Sequence, residues 1–367
     1  MVERYIGIMS GTSLDGVDAV LVEFDGDALH LLDTATLGIP RPLRDEAEAL
    51  VRDDRDGLNR AFRLGNHLTE IYAEIARQLA ARSDSAVAAI GCHGQTLRHF
   101  PADPDTPFTI RVVNGAMLAV ATGIATVTDF RRADMALGGQ GAPLAPAFHA
   151  HCPASRHENR VILNLGGIAN LTWLPAGTNA AVTGFDTGPA NGLMDQWARA
   201  HGQPAFDVGG ALAASGTVDR TLLAAMASDP YFRLVPPKST GREHFGAEWL
   251  KRHLAAFPAL DPADIQATLL ELTAISVADA LRQYCPAAEA VYACGGGCRN
   301  PVLMARLAAL LEPVRISDTA ELGIDPQWVE ATAFAWLARR RLNALPGNLP
   351  SVTGASRPAV LGALYLP

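Results

Sequence analysis

Alternating strand and helix signals, arranged in two similar cycles, predict an α/β protein of two domains. The 367 residues suffice for roughly two domains of ordinary size. Apolar strand-like runs alternate with amphipathic helical periods, the pattern of an α/β fold. Each half also opens on a strand, a Gly-containing turn and a returning strand: "YIGIMSGTSLDGVDAVLVEF" (5–24) and "RVILNLGGIANLTWLP" (160–175). This weak internal repeat suggests two similar halves facing each other, and a cleft between such domains is a natural ligand site. With 49% hydrophobic and 19% charged residues, a sizeable packed core is expected rather than long disorder.

In chain order, the first connection is longer than the two-residue turn a hairpin needs. It carries three hydroxyls (Ser10, Thr12, Ser13) and two carboxylates (Asp15, Asp18). Small residues with free N–H groups beside hydroxyls suit a phosphate, and a neighbouring carboxylate suits its metal ion. A decorated hairpin is the alternative reading. "FRLGNHLTEIYAEIARQLAARS" (62–83) sets Leu64, Leu68, Ile71, Tyr72, Ile75 and Leu79 on one face and predicts an amphipathic helix. "VAAIGCHGQT" (87–96) reads as a buried strand entering a Gly-rich loop, and "IATVTDF" (124–130) as a short strand ending at Asp129. After the second hairpin come strand "AAVTGFDTG" (180–188), helix "NGLMDQWARAHG" (191–202), a long helix near Ala263 to Gln283, and strand "EAVYACGGG" (289–297). Asn300 is a good N-cap and Pro301 a good first helical residue, so the next helix should begin there. The stretch from Asp229 to Glu243 is the best candidate for a long functional loop.

Composition excludes several classes of function. Net charge is −8 and no run of five or six basic residues occurs, which argues against nucleic acid or anionic membrane as partner. "MVERYIGIM" lacks a signal-peptide layout, and no apolar stretch approaches the ~18 residues a membrane span needs, so a cytoplasmic protein is expected. Five scattered cysteines are expected as reduced thiols. Neither the pair Cys294 and Cys298 nor the cluster His149, His151 and Cys152 has a second pair at ligand spacing, so both read as ordinary residues rather than metal sites. Lys238-Ser239-Thr240 follows two prolines rather than a glycine loop, which excludes a P-loop.

Four stretches concentrate chemistry. Gly295, Gly296 and Gly297 lack dinucleotide-site spacing, yet would let a flat ligand or phosphate approach a helix N-terminus; a tight strand-to-helix turn is the alternative. Asp186, flanked by Gly184, Gly188 and Pro189, sits between strand and helix signals, where a carboxylate can serve as general base or as a turn cap. Asp195 reads as a helix surface residue. Finally, "CHGQTLRH" and "TDFRRADMALGGQGAPLAP" bring His93, Gln95, Thr96, Asp129, Arg131, Arg132 and Gln140 among glycines, a mixture suited to a polar, sugar-like ligand.

Together these stretches resemble the anhydro-N-acetylmuramic acid kinase family. The resemblance rests on "GIMSGTSLDGVD", "GCHGQT", "TDFRRADMALGGQGAPL", "NLGGIANLT", "GFDTGPANGLMD", "PPKSTGRE", "CGGGCRNP" and "GIDPQWVEATAFAWLA", in family order over nearly the whole chain. It implies the sugar-kinase/actin-like fold, two ribonuclease-H-like α/β domains around a central ATP/sugar cleft. These are expected at 1–130 and 131–367, with the C-terminal "SVTGASRPAVLGALYLP" compatible with packing on either domain. The implied reaction turns ATP, water and 1,6-anhydro-N-acetylmuramic acid into N-acetylmuramic acid 6-phosphate and ADP, opening the anhydro ring during peptidoglycan recycling. The implied cofactors are ATP and Mg²⁺, and the implied assembly is a cytoplasmic homodimer.

By the same resemblance, Gly11, Thr12, Ser13, Leu14, Asp15, Gly16, Val17 and Asp18 form the first phosphate-binding loop, with Asp15 or Asp18 near the metal. Asn164, Gly166 and Gly167 are its counterpart in the second half. Gly295, Gly296, Gly297 and Asn300 line the adenosine side. Asp186 matches the catalytic base and Glu330 a supporting carboxylate near the attacking water. His93, Gln95, Thr96, Asp129 and Arg131 are expected at the sugar, whereas roles within "PPKSTGRE" stay unassigned. Rival readings are an ordinary sugar kinase that opens no ring and an actin-like, nucleotide-dependent assembly or regulatory protein. The presence of both Asp186 and Glu330 favours catalysis.

Overall fold

The computed structural model describes the chain except residues 1, 12–15, 53–56, 102, 104, 153–154, 156, 178–180, 204, 242–243 and 258. Packing divides it into two units, Met1–Cys152 with Trp328–Pro367, and Pro153–Gln327. The first unit holds β1 (Val2–Ser10), β2 (Gly16–Asp25), β3 (Ala28–Gly38), β4 (Val87–Cys92), β5 (Gln95–Phe100), β6 (Phe108–Val112) and β7 (Thr126–Thr128). The second holds β8 (Arg160–Leu165), β9 (Ile168–Leu174), β10 (Thr183–Pro189), β11 (Ala290–Cys294) and β12 (Arg315–Asp318). The last strand, β13 (Ala363–Tyr365), returns to the first unit.

Both units repeat one topology. In the first, β1, β2 and β3 form an antiparallel meander, β4 joins β1 in parallel and β7 joins β4 in parallel. In the second, β8, β9 and β10 form the meander, β11 joins β8 in parallel and β12 joins β11 in parallel. The sheet orders β13-β7-β4-β1-β2-β3 and β10-β9-β8-β11-β12 therefore share the 3-2-1-4-5 core of a ribonuclease-H-like domain, with β13 added antiparallel at one edge. The chain thus has the α/β fold class that its repeated hairpins suggested.

The packing follows from the strand sequences. Tyr5, Ile6 and Ile8 of β1 are all buried, as expected for a central strand covered on both faces. One cover is the helix Gly57–Arg82, whose Leu64, Leu68, Tyr72, Ile75 and Leu79 are buried while Ile71 is only partly so. The helix Val329–Leu342 lies so close to the first sheet that side chains are excluded beneath it. Gly7 of β1 and Gly91 of β4 face each other in register. A Cβ on Gly7 would stand 1.8 Å from the Ala331 carbonyl oxygen, and one on Gly91 2.0 Å from that of Phe334.

The sequence reading drew its boundary after residue 130; by packing, residues 131–152 and 328–367 go with the first unit. The helix Val329–Leu342 and β13 pack on the first sheet, and a buried carboxylate joins the two added segments. Asp134 accepts hydrogen bonds from Asn348 Nδ2 (2.6 Å) and Thr353 Oγ1 (2.7 Å) through Oδ1, and from the Gly141 amide (2.8 Å) through Oδ2. That ties the loop after Phe130 to the C-terminal segment.

In the second unit, Pro262–Tyr284 forms a long, largely buried helix started by Asp261, whose carboxylate accepts the Ala263 amide at 2.8 Å. The helix Pro301–Leu311 begins where expected, with Asn300 Oδ1 accepting the amides of Val302 and Leu303 at 3.1 Å each.

Candidate active site

In the first unit, the β1–β2 ladder closes at the pair Ser10 and Val17. Thr12, Ser13, Leu14 and Asp15 lie outside the described residues. Of the rest, Gly11 follows β1 and Gly16 begins β2. Val17 is fully buried, so its side chain serves the core and only its backbone can serve a ligand. Asp18 stays at the sheet surface and its Oδ1 accepts the Thr36 hydroxyl at 2.6 Å. Ser10 is structural: its Oγ lies 2.9 Å from the Tyr72 hydroxyl and donates to the Gly94 carbonyl at 3.3 Å, fastening the end of β1 to the loop after β4.

That loop leads into the polar cluster. His93 is buried, and its Nε2 meets Arg131 Nη2 at 3.3 Å and Arg111 Nη2 more closely still. Arg111 Nη1 also donates to the His93 carbonyl at 3.1 Å. Burial and the two guanidiniums hold the His93 pKa well below its ordinary value, so its ring is neutral. Because Nε2 accepts from arginine donors, the ring proton sits on Nδ1. Gln95 and Thr96 begin β5, and Thr96 pairs with Arg111 across the β5–β6 ladder. Gln95 Oε1 and Thr96 Oγ1 are buried without a hydrogen-bond partner among the described residues.

Asp129 takes a left-handed backbone (φ 56°), an uncommon conformation for a residue other than glycine. Its Oδ2 stands 3.5 Å from Arg132 Nη1, and burial raises its pKa against the pull of Arg132 and Arg111. Arg131 Nη1 donates to the Gly141 carbonyl at 3.0 Å, so the Asp134 knot fixes the loop that orients it. His93 and Arg131 thus meet through one imidazole nitrogen, joined by Arg111, which the sequence reading missed and which pairs across the ladder with Thr96. Arg111 sits in "FTIRV", where alternation alone reads as an ordinary strand residue, and its partner His93 is distant in sequence. Glu330, half-buried, lies in the first turn of the helix Val329–Leu342 of this unit.

In the second unit, Asp186 is not at a strand end as expected: β10 continues to Pro189. A register shift between Asp186 and Gly188 marks a bulge, a device that re-aims a side chain within an edge strand. The neighbouring loop then holds it. The Asp186 amide donates to the Lys238 carbonyl at 3.2 Å, the Thr240 amide donates to Asp186 Oδ2 at 2.9 Å, and the Tyr231 hydroxyl donates to the Asp186 carbonyl at 2.7 Å. Lys238 is buried, with Nζ 3.3 Å from the Tyr231 carbonyl and 4.7 Å from the center of the Tyr231 ring. Burial lowers its pKa, opposed by attraction to Asp186. The "PPKST" segment is therefore the mount of Asp186, a role that spacing alone did not reveal.

The Gly166–Gly167 turn closes β8 onto β9, and its carbonyls accept the amides of Ala190, Asn191 and Gly192 at 3.0–3.1 Å, at the start of helix Asn191–Ala200. Asn164 of β8 is buried with Oδ1 lacking a partner among the described residues. Gly295 (φ 81°) comes so near that a Cβ there would stand 2.4 Å from that oxygen; one on Gly297 would stand 2.6 Å from Leu165 Cβ. Asn164, Gly166, Gly167, Gly295 and Gly297 are therefore one cluster, with Gly296 more open beside them. Asn300 uses its side-chain oxygen as a helix cap. None of the five cysteines is in a disulfide, and among the described residues no group of three or more His, Cys, Asp or Glu is placed to hold a metal ion. No described helix is long and apolar enough to cross a membrane.

A family model described as anhydro-N-acetylmuramic acid kinase matches residues 3–367. Relatives of that name include those of Shewanella halifaxensis (50% identical, covering 98% of each chain) and Thiobacillus denitrificans (50%, covering 99% of this chain and 97% of the relative). That of Xanthomonas campestris pv. campestris is also 50% identical, over 98% of this chain and 97% of its own.

Proposed function

This chain belongs to the anhydro-N-acetylmuramic acid kinase family, and from that premise we propose that it phosphorylates 1,6-anhydro-N-acetylmuramic acid with ring opening. ATP and water enter; N-acetylmuramic acid 6-phosphate and ADP leave. The observation that carries the mechanism is the mount of Asp186, a nearly buried carboxylate on a bulged strand with Oδ2 fixed by the Thr240 amide. Asp186 takes a proton from water as the water oxygen bonds to the anomeric carbon. The bond from that carbon to O6 breaks, its electron pair stays on O6, and O6 attacks the γ-phosphorus as ADP departs. A base opposite the leaving oxygen follows the logic of inverting glycosidases, with phosphoryl transfer in place of proton donation. Lys238 steadies the anionic form of Asp186, and Glu330 orients the water.

The loops 11–18 and Asn164–Gly167, with Gly295–Gly297, would hold the nucleotide phosphates and adenosine through backbone amides. Mg²⁺ would neutralise phosphate charge. Asp18, anchored by Thr36, and Asp15 are the carboxylates available to hold it, and so few protein ligands fit an ion that keeps phosphate oxygens and waters in its shell. His93, Gln95, Thr96, Asp129 and Arg131 would contact the sugar. We further place the protein in the cytoplasm as a homodimer, recycling peptidoglycan fragments. The test is Asp186→Asn, which keeps the shape and removes the base: turnover should fall by at least about 10³-fold with ATP affinity nearly intact. Normal turnover would remove Asp186 from the base role.

A further inference from the structure

Arg111 has no part in the reading above, yet its environment demands an anion. Its guanidinium shares one imidazole nitrogen with Arg131, so two fixed cations lie side by side. Among the described residues its Nε is buried without a hydrogen-bond partner and no carboxylate forms an ion pair with Arg111. Asp129, a carboxylate whose charge acts on it, is engaged with Arg132. His93 is neutral and offers only a ring N–H on its far side, an atom also without a partner among the described residues. A buried guanidinium beside a like charge and with an unfilled donor is costly, and the guanidinium fork matches a carboxylate in two parallel hydrogen bonds.

We infer that Arg111, with Arg131 beside it, binds the carboxylate of the sugar acid and sets the preference for an acidic over a neutral anhydro-sugar. This rests on the proposed function, which supplies a substrate carrying one carboxylate on its lactyl arm. Arg111 is thus a specificity residue rather than a catalytic one. Nothing passes through it in the reaction; it fixes the arm and thereby the sugar ring.

The test compares 1,6-anhydro-N-acetylmuramic acid with its lactyl amide, a neutral isostere. The wild type should prefer the acid by at least about 100-fold in kcat/KM, mostly through KM. Arg111→Gln should collapse the acid/amide ratio toward unity, and Arg111→Lys should restore part of it, with the KM for ATP unmoved in both. A wild type that treats acid and amide alike overturns the inference without need of any variant. So does a folded Arg111→Gln that keeps the full ratio, or whose main change is in the KM for ATP, which would assign the cations to phosphate instead. A wild type inactive on both sugars would overturn the substrate reading itself, and the inference with it.

Discussion

Replacing Asp134 with alanine removes the acceptor of three buried hydrogen bonds at once. Those from Asn348 and Thr353 reach one oxygen and that from the Gly141 amide reaches the other, at 2.6–2.8 Å, and Asp134 itself is fully buried. Each bond to a charged acceptor contributes about 1.5–3 kcal/mol, partly offset because a buried carboxylate no longer has to be desolvated. The net expectation is a loss of about 4 kcal/mol from the first unit. With a urea m-value of about 2–3 kcal/mol/M for a unit of this size, the midpoint should fall by about 1.5 M. Asp134→Asn keeps one acceptor oxygen but turns an amide donor toward donors, so it should recover less than half. Adding Asn348→Ala to Asp134→Ala should cost little more, since the bond is already gone. Urea unfolding followed by circular dichroism reads all three, and limited proteolysis should cut the C-terminal segment earlier in the alanine variant. A midpoint within about 0.3 M of wild type for Asp134→Ala would refute the assignment of this carboxylate as the tie between the two segments.

Other outcomes follow from the same geometry. Gly91→Ala, with its new Cβ 2.0 Å from the Phe334 carbonyl oxygen, should cost about 3 kcal/mol or more and lower activity through the displaced helix that carries Glu330; a variant melting with wild type would contradict that packing. Lys238→Met removes the cation that favours ionised Asp186, so the acid limb of the kcat/KM profile should move to higher pH; an unmoved limb would disconnect the pair. Burial holds the His149 pKa near about 3, below its unfolded value, so the stability from keeping it neutral is present above about pH 6.5 and lost as pH falls. Between pH 7 and 5 that loss is about 2 kcal/mol for this histidine. His149→Leu should flatten the dependence of the urea midpoint on pH, and an equally steep variant would count against it.

What could be read from the sequence was mostly local. The helix over Leu64 to Leu79, the Asn300 cap and the two Gly-turn hairpins each depend on residues a few positions apart. The parallel pairings of β4 on β1 and β11 on β8 depend on distant segments, so the repeated sheet order could only be suggested. Gly7 and Gly91 look like casual glycines in apolar strands until a helix from near the C-terminus lies across them. Asp186 stood out by its flanking glycines, but the bulge and the Lys238–Thr240 mount come from an edge-strand contact with a loop far along the chain. The same holds for Arg111 and Asp134, whose partners no periodicity links to them. The boundary after residue 130 could not anticipate the bonds of Asp134, which join its loop to the C-terminal segment.

The most direct test of the central claim is mass spectrometry of the product formed from ATP, Mg²⁺ and 1,6-anhydro-N-acetylmuramic acid in ¹⁸O-labelled water. Coupled ring opening and phosphorylation predict a product that gains one phosphate and one labelled oxygen, the label residing at the anomeric carbon. A phosphorylated product without the label would mean an ordinary sugar kinase and would contradict the assignment of Asp186 as the base that activates water.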